Sequence, residues 1–284
     1  MTIKFGVVVN YFKKTDHPES VKQSLIFALS QLKNCDEVNE IVVSDGSVNK
    51  DDELIDYCNR RNIKYLHIEG GMSFPEAYNY GVAQLQEEWI AIMASDIYVL
   101  PDTFTAFANF IRSYGKLNIG CLIPYISNSA YITQESYKRS SLISCYSGLM
   151  TFNLNVFKKS VYDKISGMSS DYSGNYNDVD AVLRLKKLNL NIILVKNAYA
   201  IHYGRLTLSH GSNTNVQEDY NVFKKKYPRY CDEKGLWNIK MELFLQNPIL
   251  IAMYKLKNIV PSKKIRNKYL NMILKMIPIF QKIT

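Results

Sequence analysis

The chain has 284 residues, of which 47% are hydrophobic, 12% aromatic and 21% charged. That composition suits one or two globular domains and excludes a disordered tail, a collagen-like repeat or a disulfide-dense scaffold. No stretch approaches the roughly 18 uninterrupted apolar residues of a spanning helix, so a polytopic membrane protein is excluded as well. The net charge of +9 is unevenly placed: residues 1–223 carry 21 Lys and Arg against 23 Asp and Glu, whereas residues 224–284 carry 14 against 3.

The charge step divides the chain into a nearly neutral domain, residues 1–223, and a basic helical extension, residues 224–284. A basic tail calls for an anionic partner, either lipid headgroups or nucleic acid. Five cysteines, Cys35, Cys58, Cys121, Cys145 and Cys231, are odd in number and stand in no metal-binding spacing. They read as reduced cytosolic thiols. The N-terminus has no signal-peptide layout.

Strands and helices alternate from the start. Residues 4–9 are a β-branched apolar run, and residues 20–32 place Val21, Leu25, Leu29 and Leu32 at helical spacing. Residues 40–43 are a second strand, 51–62 a helix, 64–68 a strand, 74–86 a helix and 89–93 a buried strand. Repeated strand–helix–strand units predict an α/β fold with a mainly parallel sheet covered on both faces. Ligands of such sheets bind beyond the carboxyl ends of the strands, which directs attention to Asn10-Tyr11, Ser44-Asp45-Gly46-Ser47 and Ser95-Asp96. Further on, residues 103–114 read as a helix and 120–124 as a strand. Residues 127–141 read as a polar, Tyr-rich loop. Strands are expected at 147–152 and 192–195, with a helix at 178–188 between them.

From Leu236 the texture becomes apolar and basic, with helices expected over 236–245, 249–257 and 263–277. In the last of these Ile265, Tyr269, Met272, Ile273 and Met276 recur at helical spacing, while Lys264, Lys268, Asn271 and Lys275 lie largely off that stripe. A basic amphipathic helix of this kind suits the interface of an anionic membrane; it also suits a helix packed back on its own domain. Nucleic acid is not expected, because the apolar residues are aliphatic rather than stacking aromatics.

Four acidic or imidazole positions could carry chemistry. Asp45, at a strand end, could accept the imide N–H of a pyrimidine base, although an Asp-Gly pair also makes a turn. Asp96 could hold a divalent cation, since hard cations select oxygen, or cap the turn before Pro101. Asp178 and Asp180 open a helix, where carboxylates are electrostatically favoured. Asp178, nearer the loop, is the better general base, and Arg184 could pair with Asp180. His202 could complete a cation site with Asp96 or be structural.

Their order resembles that of the family 2 inverting glycosyltransferases, which have the GT-A fold, over roughly residues 3–210. Val7-Val8-Val9-Asn10-Tyr11-Phe12 is similar to the family's first strand and Thr-Tyr-Asn, and Val43-Ser44-Asp45-Gly46-Ser47 to its Val-Asp-Asp-Gly-Ser. Gly71 with Ala77-Tyr78-Asn79-Tyr80-Gly81 matches its Gly…Ala-x-Asn-x-Gly. Ala94-Ser95-Asp96 falls at its metal-binding Asp-x-Asp, Asn177-Asp178-Val179-Asp180 with Arg184 at its Glu-Asp-x-Asp…Arg, and His202-Tyr203-Gly204 at its His-x-x-Gly.

The resemblance implies that Val9, Asn10, Tyr11, Asp45, Asn79 and Ser95 bind the donor nucleotide. It implies that Asp96 and His202 bind Mn²⁺ or Mg²⁺, that Asp178 is the catalytic base, and that Asn177, Asp180 and Arg184 support it or the acceptor. The pattern leans toward the rhamnosyl- and galactofuranosyl-type branch, with dTDP-rhamnose or a UDP-hexose as donor and a glycan or lipid-linked acceptor of cell-surface polysaccharide synthesis. Residues 236–284 would then hold the enzyme peripherally on the cytoplasmic face of the membrane. Ala94, Asn177 and Ser44 depart from the family's acids, so a weaker cation site or a catalytically inactive glycan-binding or assembly protein is the alternative. A sugar nucleotidyltransferase fits less well, because no Gly-rich triphosphate loop follows Val9.

Overall fold

The computed structural model describes residues 2–14, 16–127, 144–203, 215–231 and 245–283. The loop expected over residues 127–141, apart from Ser127, and the helix expected over 236–245, apart from Leu245, lie outside the described residues.

In chain order the first half runs β1 (Phe5–Tyr11), α1 (Ser20–Lys33), β2 (Val38–Asp45), α2 (Asp52–Arg60), β3 (Lys64–His67), α3 (Phe74–Ala83) and β4 (Trp89–Ala94). It continues with β5 (Ile97–Val99), α4 (Thr103–Tyr114) and β6 (Ile119–Ser127). After these come β7 (Cys145–Ser147), β8 (Leu154–Lys158), α5 (Lys159–Lys164), α6 (Asn177–Lys187) and β9 (Asn191–His202). The remaining helices are α7 (Val216–Lys226), α8 (Pro248–Leu256) and α9 (Lys263–Phe280).

Local chemistry sets several of the boundaries. Asp51 caps α2 by accepting from Leu54 N at 3.1 Å, and Ser73 and Glu76 form a capping box at α3, where Glu76 accepts from Ser73 N at 2.8 Å. Asn215 caps α7 through Gln217 N and Glu218 N. α6 has Asp178 and Asp180 in its first turn and Arg184, Lys186 and Lys187 in its last, so both ends complement the helix dipole.

The strands form one sheet in the order β3-β2-β1-β4-β8-β6-β9-β5, with β7 also paired to β9. β1, β2, β3, β4, β6 and β9 run in one direction, and β5, β7 and β8 oppose them. The sheet is therefore mostly parallel, as the alternating sequence pattern predicts.

Side-chain alternation along the strands builds two cores. Phe5, Val7 and Val9 of β1 pack with α1, α2 and α4 on one face. Val8 packs on the other with α3, α5, α6 and also Phe223 of α7, Leu250 and Tyr254 of α8, and Ile273 and Ile277 of α9. Each buried aliphatic side chain contributes about 1.5–3 kcal/mol, so the C-terminal helices are fastened to the same core as the sheet. The charge step at residue 223 falls inside α7. Burial also pushes the Cys35, Cys58 and Cys145 thiols up to about 12.

Two features differ from the sequence reading. The strand expected over 147–152 is absent: β7 ends at Ser147 and β8 begins at Leu154. Ser147 Oγ donates to Leu149 O at 2.8 Å and turns the chain, so Leu149, Met150 and Phe152 are apolar because they pack in a buried loop. The apolar stripe of α9 is divided as well. Ile273 is buried and Tyr269 and Met276 are half-buried against the domain, whereas Ile265 and Met272 are exposed. Among the described residues no helix is long and apolar enough to cross a membrane.

Candidate active site

Parallel pairing brings the strand ends together. Asn10 stands beside Ser44 on one side and Ala94 on the other, and Tyr11 stands beside Asp45. The loops after β1, β2 and β4 therefore share one edge of the sheet. Two glycines allow the close packing there. A Cβ at Gly46 would lie 2.7 Å from Met72 O, and one at Gly81 would lie 2.5 Å from Val8 Cγ1, where α3 crosses β1.

Ser95 and Asp96 form the turn between β4 and β5. Ser24 of α1 braces it, donating from Oγ to Ser95 O at 3.1 Å while standing 3.0 Å from the Tyr98 hydroxyl. β5 then pairs antiparallel with β9, with Ile97 opposite His202. This places His202 Nε2 3.4 Å from Asp96 Oδ2. Residues more than 100 positions apart thus meet at the strand-end edge. Two ligands that each sit about 2.1 Å from one divalent ion are separated by about 3 to 3.5 Å, so this oxygen–nitrogen pair fits a shared cation. Among the described residues no cluster of three or more His, Cys, Asp or Glu could hold a metal. The Tyr78 hydroxyl is buried without a hydrogen-bond partner among the described residues; burial first, then the Asp96 charge, raises that phenol.

Asp45 has no exposed surface. Its Oδ1 accepts from Ser47 N at 2.8 Å and its Oδ2 from the Tyr65 hydroxyl. Burial raises the Asp45 carboxyl above its ordinary value, opposed by the bonds from Ser47 and Tyr65. Neighbouring Tyr11 is also buried, with no hydrogen-bond partner for its hydroxyl among the described residues. Val9 and Asn10 lie within the ladder, and the Asn10 amide reaches Phe74 O at 3.4 Å. The Asn79 amide is committed within the protein: Nδ2 donates to Met168 O at 2.8 Å, and Oδ1 accepts from the Tyr162 hydroxyl at 2.8 Å and Met168 N at 2.9 Å. It fastens α3 to the turn after α5.

At the start of α6, Asp178 is half-buried and its Oδ1 accepts from Val179 N at 2.8 Å. Asn177 is buried, with Oδ1 accepting from Ser169 N at 3.0 Å. Asp180 is fully buried and accepts from Arg184 Nε at 2.6 Å, as the i, i+4 spacing predicts, and also from Lys226 Nζ at 2.8 Å and the Tyr227 hydroxyl at 2.8 Å. Lys226 and Asp219 of α7, the adjoining Tyr227, Ser24 and Tyr65 were not read from the sequence as site residues. Their roles depend on pairings across 20 to 74 positions, for which a local motif carries no signal.

A sequence profile described as "Glycosyl transferase family 2" matches residues 7–173 of the chain. No curated protein sequence matches it. Among solved structures, the crystal structure of S. aureus TarS 1-349 is similar at a TM-score of 0.56 and 13% identity, over 96% of this chain and 91% of that one. A crystal structure of S. aureus TarS is similar at 0.54 and 12%, over 97% of this chain and 55% of that one. At such identities these structures show a shared fold.

Proposed function

Since the chain belongs to glycosyl transferase family 2 and is a glycosyltransferase, we propose that it inverts the anomeric configuration as it moves a sugar from a nucleoside diphosphate to a hydroxyl of a glycan or lipid-linked acceptor. The observation that carries this reading is the Asp96–His202 pair, 3.4 Å apart at the strand-end edge, beside the base-facing ends of β1 and β2. A UDP-hexose or dTDP-rhamnose is the donor class, and the rhamnosyl-type branch is part of the proposal.

The roles follow from the side chains. Asp96 and His202 would hold Mn²⁺ or Mg²⁺, which when bound neutralises charge on the leaving diphosphate. Asp45 reads the base through Oδ2, with the Tyr65 hydroxyl yielding its bond. Asp178 removes the proton from the acceptor hydroxyl as that oxygen attacks the anomeric carbon, and the bond to the diphosphate oxygen breaks on the opposite face. One such displacement inverts the centre.

Membrane association at the cytoplasmic face belongs to the same proposal. Ile265, Lys268, Met272, Lys275 and Ile279 follow one another at three- and four-residue steps on the exposed side of α9. Aliphatic residues that alternate with lysines along one face suit an anionic bilayer surface.

A panel of UDP- and dTDP-sugars assayed for nucleoside diphosphate release, with and without Mn²⁺, tests the reading. Cation-stimulated release of one donor, lost in both Asp96→Ala and His202→Ala, is expected. Selective binding of a sugar nucleotide with no release under any condition would instead support the glycan-binding or assembly alternative.

A further inference from the structure

The helix that aims the proposed base is itself held by α7, a segment beyond the residues matched to the family. Asp219 of α7 is 2% exposed and grips the loop in front of α6. Its Oδ1 accepts from Ser173 N at 2.7 Å, and its Oδ2 from Ser173 Oγ at 2.9 Å, Asn175 N at 2.8 Å and Asn175 Nδ2 at 3.1 Å. The next residue, Tyr176, has φ +61°, a left-handed conformation that a tyrosine adopts only when its surroundings impose it. Its ring stacks on Phe223 of α7, with centroids 5.4 Å apart and planes 28° apart. On the other side of Asp178, Asp180 receives Lys226 of the same helix and Tyr227, the residue that follows it.

Asp219, Phe223 and Lys226 stand at i, i+4 and i+7, so one face of α7, continued by Tyr227 just past its end, makes these contacts. Asp178 lies between the two pinned positions. At about 100° per residue, Asp180 is roughly 200° around the helix from Asp178. Drawing Asp180 inward onto α7 therefore turns Asp178 outward. We infer that Asp219 is a positioning residue for Asp178: by fixing residues 173–175 and the left-handed Tyr176, it sets where the Asp178 carboxylate points. The inference rests on Asp178 being the base, as proposed above.

The test compares Asp219→Ala, Asp219→Asn and Asp178→Asn in the full chain, using the sugar nucleotide that the wild-type protein hydrolyses fastest. Asp219→Asn keeps an acceptor for Ser173 N but sets an amide against the Asn175 donors. Small displacements of a reacting group cost one to two orders of magnitude in rate. Asp219→Ala should therefore lower kcat about 10- to 100-fold, and Asp219→Asn by less, while KM for the donor and Kd for the free nucleoside diphosphate stay within about twofold. Hydrogen exchange at residues 175–180 should quicken in both variants, with β1, β2 and β4 unchanged. A kcat within twofold of wild type in Asp219→Ala, or a parallel loss of nucleotide affinity, would overturn the inference. If Asp178→Asn itself turned over normally, the base assignment would be the part that fails. If Asp219→Ala does not fold, Asp219→Asn alone decides by the same split between kcat and KM.

Discussion

At the residue scale, the proposed base contact would set a pyrimidine against the Tyr65 hydroxyl for Oδ2 of Asp45. A hydrogen bond is worth about 1 kcal/mol net, so removing the competitor in Tyr65→Phe should tighten UDP or dTDP binding about fivefold by calorimetry, whereas Asp45→Asn should weaken it. Equal affinity in Tyr65→Phe and wild type would mean that Asp45 never exchanges Tyr65 for a base. Asp45→Asn also separates from wild type by pH. Because burial raises the folded-state pKa of Asp45, its contribution to stability is fully present below the ordinary carboxylate value and is lost as pH rises through the folded value. The melting temperature of wild type relative to Asp45→Asn should therefore be highest in acid and decline toward neutrality.

The same residues show how far a sequence can be read. Asp45, Asp96, Asp178 and His202 stand in local motifs, and the pairing of Asp96 with His202 follows once β5 and β9 are neighbours. That Asp45 would be sealed under Tyr65 could not be read, because β2–β3 register decides it and Tyr65 sits in an ordinary strand pattern. Asn79 shows the opposite limit. A motif position can carry the expected residue while its amide is spent on Met168 and Tyr162.

Elements translate these pairings into position. α3 lies so close to β1 that Gly81→Ala must displace Val8; overpacking of this kind costs about 1–3 kcal/mol, which a denaturation midpoint would register. An unchanged midpoint would show that α3 can lift from the sheet without loss. α9 illustrates why amphipathic patterns mislead in part: its 3.6-residue period was legible, but which side would be covered depends on α8, whose Met253 O accepts from the Tyr269 hydroxyl at 2.7 Å. The outward side retains Lys268 and Lys275. Exchanging both for Glu should release the protein from anionic vesicles while leaving its melting temperature within a few degrees, since exposed charges contribute little to stability. Vesicle binding that survives the double exchange would place the contact elsewhere.

Across the whole molecule, the parallel strands gather Asn10, Ser44 and Asp45 at one edge, the antiparallel return of β9 onto β5 adds His202 beside Asp96, and α6, held by α7, presents Asp178. The alternating pattern of the sequence made the parallel half legible. The antiparallel half was not, because β5, β7 and β8 are only three to five residues long and too short to show a period. Among the described residues beyond 223, most of the basic side chains stand on α7, α8 and α9, helices that pack on the same core as the sheet.

The proposed reaction needs a carboxylate that acts in it without holding the donor. Asp178→Asn, assayed for nucleoside diphosphate release from the preferred donor and for affinity toward the free nucleotide, tests that claim directly. Turnover should fall at least about 100-fold, in line with the loss of a general base, with nucleotide affinity within about twofold of wild type. Near-normal turnover in Asp178→Asn would contradict it.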